Sequence, residues 1–314
     1  PKSCVLYIVS SMMTLMANTY TKKLTRAEPG LIVLIMDGSN SMNEAWNTKG
    51  DTLAHGAAFA VNRTLRDIAV NACYNAEDGT RNYMDMAVFT YGTEEDDGHG
   101  VDWTLGNLEQ PSSGYAKATD WVPAFIRQKK TDSGTMPIWV ESYANGWTPM
   151  CKAFSRAAQV VQQHVEDHPE AFPPIVINIT DGIPTDHQDD WGQFERAAGA
   201  ITSKSTVDGN ALLFNFHFDA TGQQNTVLFP DEIPSHSRYA EALGRISSTL
   251  PPHMVKMANH KLGLEIKEAA LGYCLNADMQ QLSAFLAIGT YVPPQLNANV
   301  DALTGDDQES VSVE

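Results

Sequence analysis

The stretch Leu31-Ile32-Val33-Leu34-Ile35-Met36-Asp37-Gly38-Ser39-Asn40-Ser41 joins an uninterrupted apolar run to a cluster of oxygen-bearing side chains. Six apolar residues in a row match a strand buried on both faces, as in a parallel sheet covered by helices. The polar residues stand where that strand would end. Side chains two apart on an extended or turning segment point the same way, so Asp37, Ser39 and Ser41 can face a common centre. Alone, such a string is equally well read as a turn or a helix cap, because Asp, Gly, Ser and Asn populate both.

Two later segments extend the pattern. Gly146-Trp147-Thr148-Pro149 places a hydroxyl just before a helical periodicity, and Ile175 to Thr180 is a second buried-strand run opening onto Asp181-Gly182. Asp37, Ser39, Ser41, Thr148 and Asp181 together form a candidate site of hard oxygen ligands. Such a set suits Mg2+, with Mn2+ and Ca2+ as alternatives of similar ligand preference, and no Cys/His quartet competes for a softer metal.

This constellation resembles the metal-ion-dependent adhesion site (MIDAS) of von Willebrand factor A (VWA) domains, in which D-x-S-x-S is followed by a Thr and then an Asp. All five positions match. The resemblance implies that Ser39, Ser41 and Thr148 touch the ion, that Asp37 and Asp181 act largely through water, and that a partner's acidic group completes the coordination. The strings Asp37 to Met42, Ala87 to Gly92, Asn145 to Met150, Pro174 to Gly182 and Leu213 to Asn215 further resemble stand-alone bacterial VWA proteins, over about residues 17–292. That implies a setting in bacterial stress response, signalling or defence.

The rest of the chain supports an α/β fold. Helical periodicity runs over Lys49 to Cys73, from Pro149 to about His164, and over Trp191 to Thr202, Arg238 to Leu250 and Asp278 to Ile288. Strand patterns cover Tyr83 to Tyr91, Asn210 to Phe218 and Leu271 to Leu275. Alternating strands and helices predict a doubly wound, mostly parallel central sheet flanked by helices on both faces, with ligand groups at the carboxyl ends of its strands. Three parts are expected: an N-terminal extension or edge segment over 1–16, the domain over 17–292 with an insertion at about 93–142, and an acidic tail over 293–314 read as disordered. A helical stretch from Pro252 to Glu268 is a second departure from a minimal domain of this type.

The net charge of -17, from 38 acidic and 21 basic residues, disfavours nucleic acid and anionic membranes as partners. Acidic runs at Glu94 to Asp97 and Asp186 to Asp190 read as solvated loops. Cys4, Cys73, Cys151 and Cys274 are widely spaced and read as free thiols in a reducing compartment, hence a cytoplasmic protein. The sequons at Asn62 and Asn178 fall in a predicted helix and a predicted buried strand, so they are no evidence of secretion.

Other chemistry-bearing residues have plainer readings. His164 and His168 are four apart at a helix end and are expected as a solvated surface pair. His217 lines the site edge or closes the core, and Trp139, Trp147 and Trp191 serve as partner anchors or as lids. Cys151, at a helix start, is expected to pack inward rather than act as a nucleophile. The expectation is therefore a non-enzymatic protein-binding module that holds Mg2+ and captures a partner's carboxylate. The alternatives are a Mg2+-dependent phosphoester hydrolase, which lacks a visible nucleophile, base or phosphate clamp, and a scaffold whose ion is purely structural.

Overall fold

The computed structural model describes residues 19–46, 51–131, 134–182, 184–187, 190–218, 226–235, 237–261 and 263–291. The expected extension over 1–16 and acidic tail over 293–314 lie outside the described residues.

A seven-stranded sheet organises the chain. Its strands are β1 (Gly30–Asp37), β2 (Met84–Thr93), β3 (Gly100–Trp103), β4 (Ile175–Thr180), β5 (Leu212–His217), β6 (Val227–Leu228) and β7 (Tyr273–Leu275). The spatial order is β6-β7-β5-β4-β1-β2-β3. β1, β2, β4, β5 and β7 run parallel, and β3 and β6 are antiparallel at the two edges. The fold is thus a doubly wound α/β fold, Rossmann-like and VWA-like in arrangement.

The uninterrupted apolar character of β1 follows from its central position. Leu31, Val33 and Ile35 point into one core, shared with helices α2 (Met150–Asp167), α3 (Trp191–Thr202) and α4 (Arg238–Ile246). Ile32, Leu34 and Met36 point into the other, shared with α1 (Leu53–Ile68), α5 (Pro252–Lys261) and α6 (Met279–Gly289). A strand with both faces covered has no solvent side to carry polar residues. The chain leaves β1 for β2 on one side and later returns to place β4 on the other. The crevice between β1 and β4 is consequently a topological switch point, where open α/β sheets bind ligands.

Helix boundaries follow capping chemistry more closely than apolar spacing. The helix expected from Lys49 starts at Leu53, where the Thr52 side chain accepts from the His55 amide, and its end widens into a π turn over Ala69–Cys73. The first amides of α2 at Cys151 and Lys152 donate to the Asp186 carboxylate at 3.0 and 2.8 Å. Asp186 is therefore a capping group, a correction to its reading as part of a solvated acidic loop; an anion there also suits the helix dipole. Asp190 caps α3 through the Gly192 amide.

Within 93–142, β3 extends the main sheet and Arg127–Thr131 pairs with Gly134–Ile138 as a separate hairpin. Buried Asn62 fastens the segment that follows the hairpin. Its side-chain oxygen accepts from the Trp139 and Val140 amides at 2.7 and 3.0 Å, and its amide donates to the Ala58 and Val140 carbonyls. Asn62→Ala would leave two buried amides unpaired, so it is expected to lower unfolding free energy by about 2–4 kcal/mol, measured by urea denaturation. A loss below about 0.5 kcal/mol would contradict that role.

Candidate functional site

Asp37, the last residue of β1, is held from two directions. Its Oδ1 accepts from the Ser39 amide at 2.8 Å, and its Oδ2 accepts from the Thr180 hydroxyl at 2.7 Å. The first bond is an Asx-type turn that bends the chain off the strand. The second crosses to β4, one step beyond the paired residues Met36 and Ile179.

Ser39 and Ser41 then face back over the strand end. Their hydroxyl oxygens lie 3.1 Å apart and reach Asp181 Oδ1 at 3.3 and 3.0 Å. Four of the five residues expected from the sequence thus form one hydrogen-bonded group. Thr148 faces the same crevice across Gly182, where a Cβ would lie 3.2 Å from the Thr148 hydroxyl and 3.5 Å from Asp37 Oδ2. Asp37, Ser39, Thr148 and Asp181 are buried and Ser41 is partly buried.

Close backbone approach brings the loops together. The Gly38 carbonyl accepts from the Asn145 and Gly146 amides at 2.9 and 3.1 Å, while the Asn40 amide donates to the Gly146 carbonyl at 2.8 Å. The Gly38 amide donates to the Tyr91 carbonyl at 2.8 Å. A Cβ on Gly146 would collide with the Gly92 carbonyl, and one on Gly92 with the Trp147 carbonyl; Gly92 also has φ +78°. Only glycine meets both demands at Gly92.

Several supporting residues escape a motif reading. Thr180 and Tyr91 are placed by strand register, with Tyr91 paired to Asp37 across β1 and β2. The Tyr91 hydroxyl is buried without a hydrogen-bond partner, and burial together with the Asp37 carboxylate holds its pKa well above the ordinary value. Thr185 fixes the Thr148 loop, accepting from the Thr148 amide at 3.1 Å and donating its own amide to the Thr148 carbonyl at 2.9 Å.

The electrostatics suit a cation. Burial raises the pKa of Asp37, partly offset by the Ser39 and Thr180 bonds. Burial and then the Asp37 charge push Asp181 up to about 8. Asp181 Oδ2 is buried with no hydrogen-bond partner. Two crowded carboxylates, an orphaned carboxylate oxygen and two converging hydroxyls form a donor set that fits a hard divalent ion.

The expected aromatic and histidine roles divide. Trp147 is 56% exposed and stacks on His99 at 5.7 Å. Trp139 is instead buried, donating to the Trp121 carbonyl at 2.9 Å, and Trp191 packs among His187, Phe194 and Tyr239. His217 closes the core beside the Tyr273 hydroxyl at 3.0 Å. Burial, followed by the Asp186 charge, pushes the Cys151 thiol up to about 12, so it is a poor nucleophile.

The expected solvated His164 and His168 pair is corrected. His164 is fully buried, because the end of α2 lies against the start of β2, and its Nε2 is 3.5 Å from Asp85 Oδ2. Asp85, His164 and His168 each offer an atom within 4.8 Å of the others, a candidate metal-holding group among the described residues. Polar flanking residues concealed this contact, which depends on how the helix end meets the strand.

No family model matches the chain, and no curated protein matches it. Solved structures do. The pilus adhesin SpaC from Lactobacillus rhamnosus GG is similar at 13% identity and TM-score 0.42, over 85% of this chain and 30% of that one. The PilB minor pilin from Streptococcus sanguinis is similar at 11% identity and TM-score 0.39, over 84% and 61%. Proximal thread matrix protein 1 from the mussel byssus, described with a zinc-occupied MIDAS motif, is similar at 15% identity and TM-score 0.29, over 62% and 37%. This chain thus spans less than two thirds of each of those chains.

The expected cytoplasmic location is corrected: its premise fails, and the solved structures similar to this chain, several of them described as pilus adhesins or pilins, give it no support. The free thiols misled the reading, since Cys73, Cys151 and Cys274 are buried and burial shields a thiol in any compartment. Among the described residues, no helix is long and apolar enough to cross a membrane.

The raised Asp181 pKa sets a pH dependence. Protonated Asp181 stabilises the metal-free fold fully below the unfolded value of about 3.9, and that contribution is lost as pH rises through about 8. Calorimetry in EDTA should therefore show a melting temperature that falls from about pH 5 to about pH 9, and saturating Mg2+ should flatten the decline. A rise in EDTA over that range would contradict the assignment.

Proposed function

We propose that the chain is a protein-binding module that holds Mg2+ in a MIDAS-type site and captures an acidic side chain of a protein partner. The observation that carries this reading is the convergence of Asp37, Ser39, Ser41 and Asp181, with Asp181 Oδ2 left unpartnered. Ser39, Ser41 and Thr148 would hold the ion directly. Asp37 and Asp181 would supply the offsetting charge, and the Thr180 hydroxyl would fix Asp37 from β4. When bound, the ion supplies a positive centre that a carboxylate can reach from outside.

The surroundings favour capture over turnover. Lys152, a cation at the start of α2, is committed to the Asp96 carboxylate at 3.2 Å and the His99 carbonyl at 3.1 Å. The Cys151 thiol is held protonated. Trp147, stacked on His99 beside the Gly146 to Thr148 loop, offers the partner a rigid aromatic surface of the kind that concentrates binding energy.

The test uses immobilised peptides bearing Asp or Glu, each beside its Asn or Gln counterpart, with the full chain applied in Mg2+ or EDTA. Retention is expected only on acidic peptides in Mg2+. Ser41→Ala should weaken it at least about tenfold, roughly the loss of one charge-assisted contact. Trp147→Ala should weaken it while leaving Mg2+ affinity unchanged. Retention indifferent to EDTA and to Ser41→Ala would overturn the reading.

A further inference from the structure

A second polar cluster lies at the opposite end of the sheet. Asp85 is the second residue of β2 and pairs in register with Leu31, near the start of β1, whereas Asp37 ends that strand. Six residues of extended chain separate the two sites by about 20 Å. Asp85 shares the side-chain parity of Ala87, Phe89 and Tyr91, all of which face the core beneath α2. Its carboxylate therefore points at the last turn of that helix, where His164 and His168 lie on one face.

The hydrogen bonding there is unusual. Asp85 and His164 are both fully buried, yet neither Asp85 oxygen and neither His164 ring nitrogen has a hydrogen-bond partner. Asp85 Oδ2 is 3.5 Å from His164 Nε2 and 4.0 Å from His168 Nε2. Four buried polar atoms in one place lack a hydrogen bond, with only the 3.5 Å approach of Asp85 Oδ2 to His164 Nε2 between them, and require a common explanation, since buried polar groups are nearly always satisfied.

We propose that Asp85, His164 and His168 bind a zinc-class transition-metal ion that staples the end of α2 to the start of β2. The donor set is two imidazoles and a carboxylate, the borderline chemistry that zinc takes and Mg2+ does not favour. Ligand atoms around tetrahedral zinc sit about 3.3 Å apart, so inward shifts of under about 1 Å close the site from the present spacings. His168 is already oriented for the task. Its Nδ1 lies 3.1 Å from the Ala27 carbonyl, which fixes the tautomer and leaves the Nε2 lone pair facing Asp85. Tyr115 covers the cluster, its ring edge against His164 and its hydroxyl donating to Asp167 at 2.6 Å. His168, with 20% of its side chain exposed, provides the entry side, and a water there would complete the shell.

The test is equilibrium dialysis of the full, chelator-stripped chain against Zn2+ in excess Mg2+, with bound zinc measured by elemental analysis. Wild type and Ser41→Ala should each retain one zinc, and Co2+ should give a tetrahedral ligand-field spectrum in both. His168→Gln, at a partly exposed helix end, should lower zinc affinity by more than about tenfold with the circular dichroism spectrum retained. His164→Gln is a second variant that should behave alike if it folds. No zinc on the wild type would overturn the proposal, as would zinc unaffected by His168→Gln or zinc lost on Ser41→Ala.

Discussion

Everything at the carboxyl end of the sheet depends on two carboxylates held together out of water. Asp37 and Asp181 end or follow the neighbouring strands β1 and β4, where each is buried. Taking two like charges out of water costs several kcal/mol unless a proton or cation offsets them. The raised pKa values of both groups express that cost. The Ser39 amide and the Thr180, Ser39 and Ser41 hydroxyls spread the charge without neutralising it. A divalent ion would offset the charge that these hydroxyls leave in place.

The fold makes that arrangement affordable. Apolar side chains cover both faces of β1 and β4, so the strands are rigid platforms for the residues at their ends. The reversal of strand order between β1 and β4, which run parallel, opens the crevice between them. Packing of the loops over the crevice then rests on Gly92 and Gly146, where carbonyl groups of neighbouring loops stand in the space a Cβ would fill. Asp186 contributes at longer range by capping α2 beside the Thr148 loop. Rigidity of this kind favours a site that binds one geometry over one that adapts to many.

The legible part of the chain was the part written in short-range patterns. The apolar runs of β1 and β4 and the helix after Pro149 could be read from periodicity, and the alternation of strands and helices implied the sheet. Asp37, Ser39 and Ser41 share a face by their spacing, and the structure adds Asp181 to their hydrogen-bonded group, with Thr148 facing them across Gly182. What escaped depends on register and on packing between distant elements. Thr180 bonds to Asp37, and Tyr91 stands opposite it, only because of how β4 and β2 align with β1. Asp85 sits amid a strand pattern and His164 amid polar neighbours, so neither signals that they meet in the interior. His217 was open between site edge and core, and Trp139 between partner anchor and lid; both are buried, and local sequence holds no information about which neighbour fills the space beside them.

The two ends of the sheet carry different chemistry: hard oxygen donors at one, imidazoles with a carboxylate at the other. The most direct measurement is anomalous diffraction from crystals grown with Mn2+ in place of Mg2+. The account predicts an anomalous peak in the crevice between β1 and β4, in contact with oxygens of Ser39, Ser41 and Thr148. A well-ordered crystal with no peak there at saturating Mn2+, or with manganese found only beside Asp85, would contradict it.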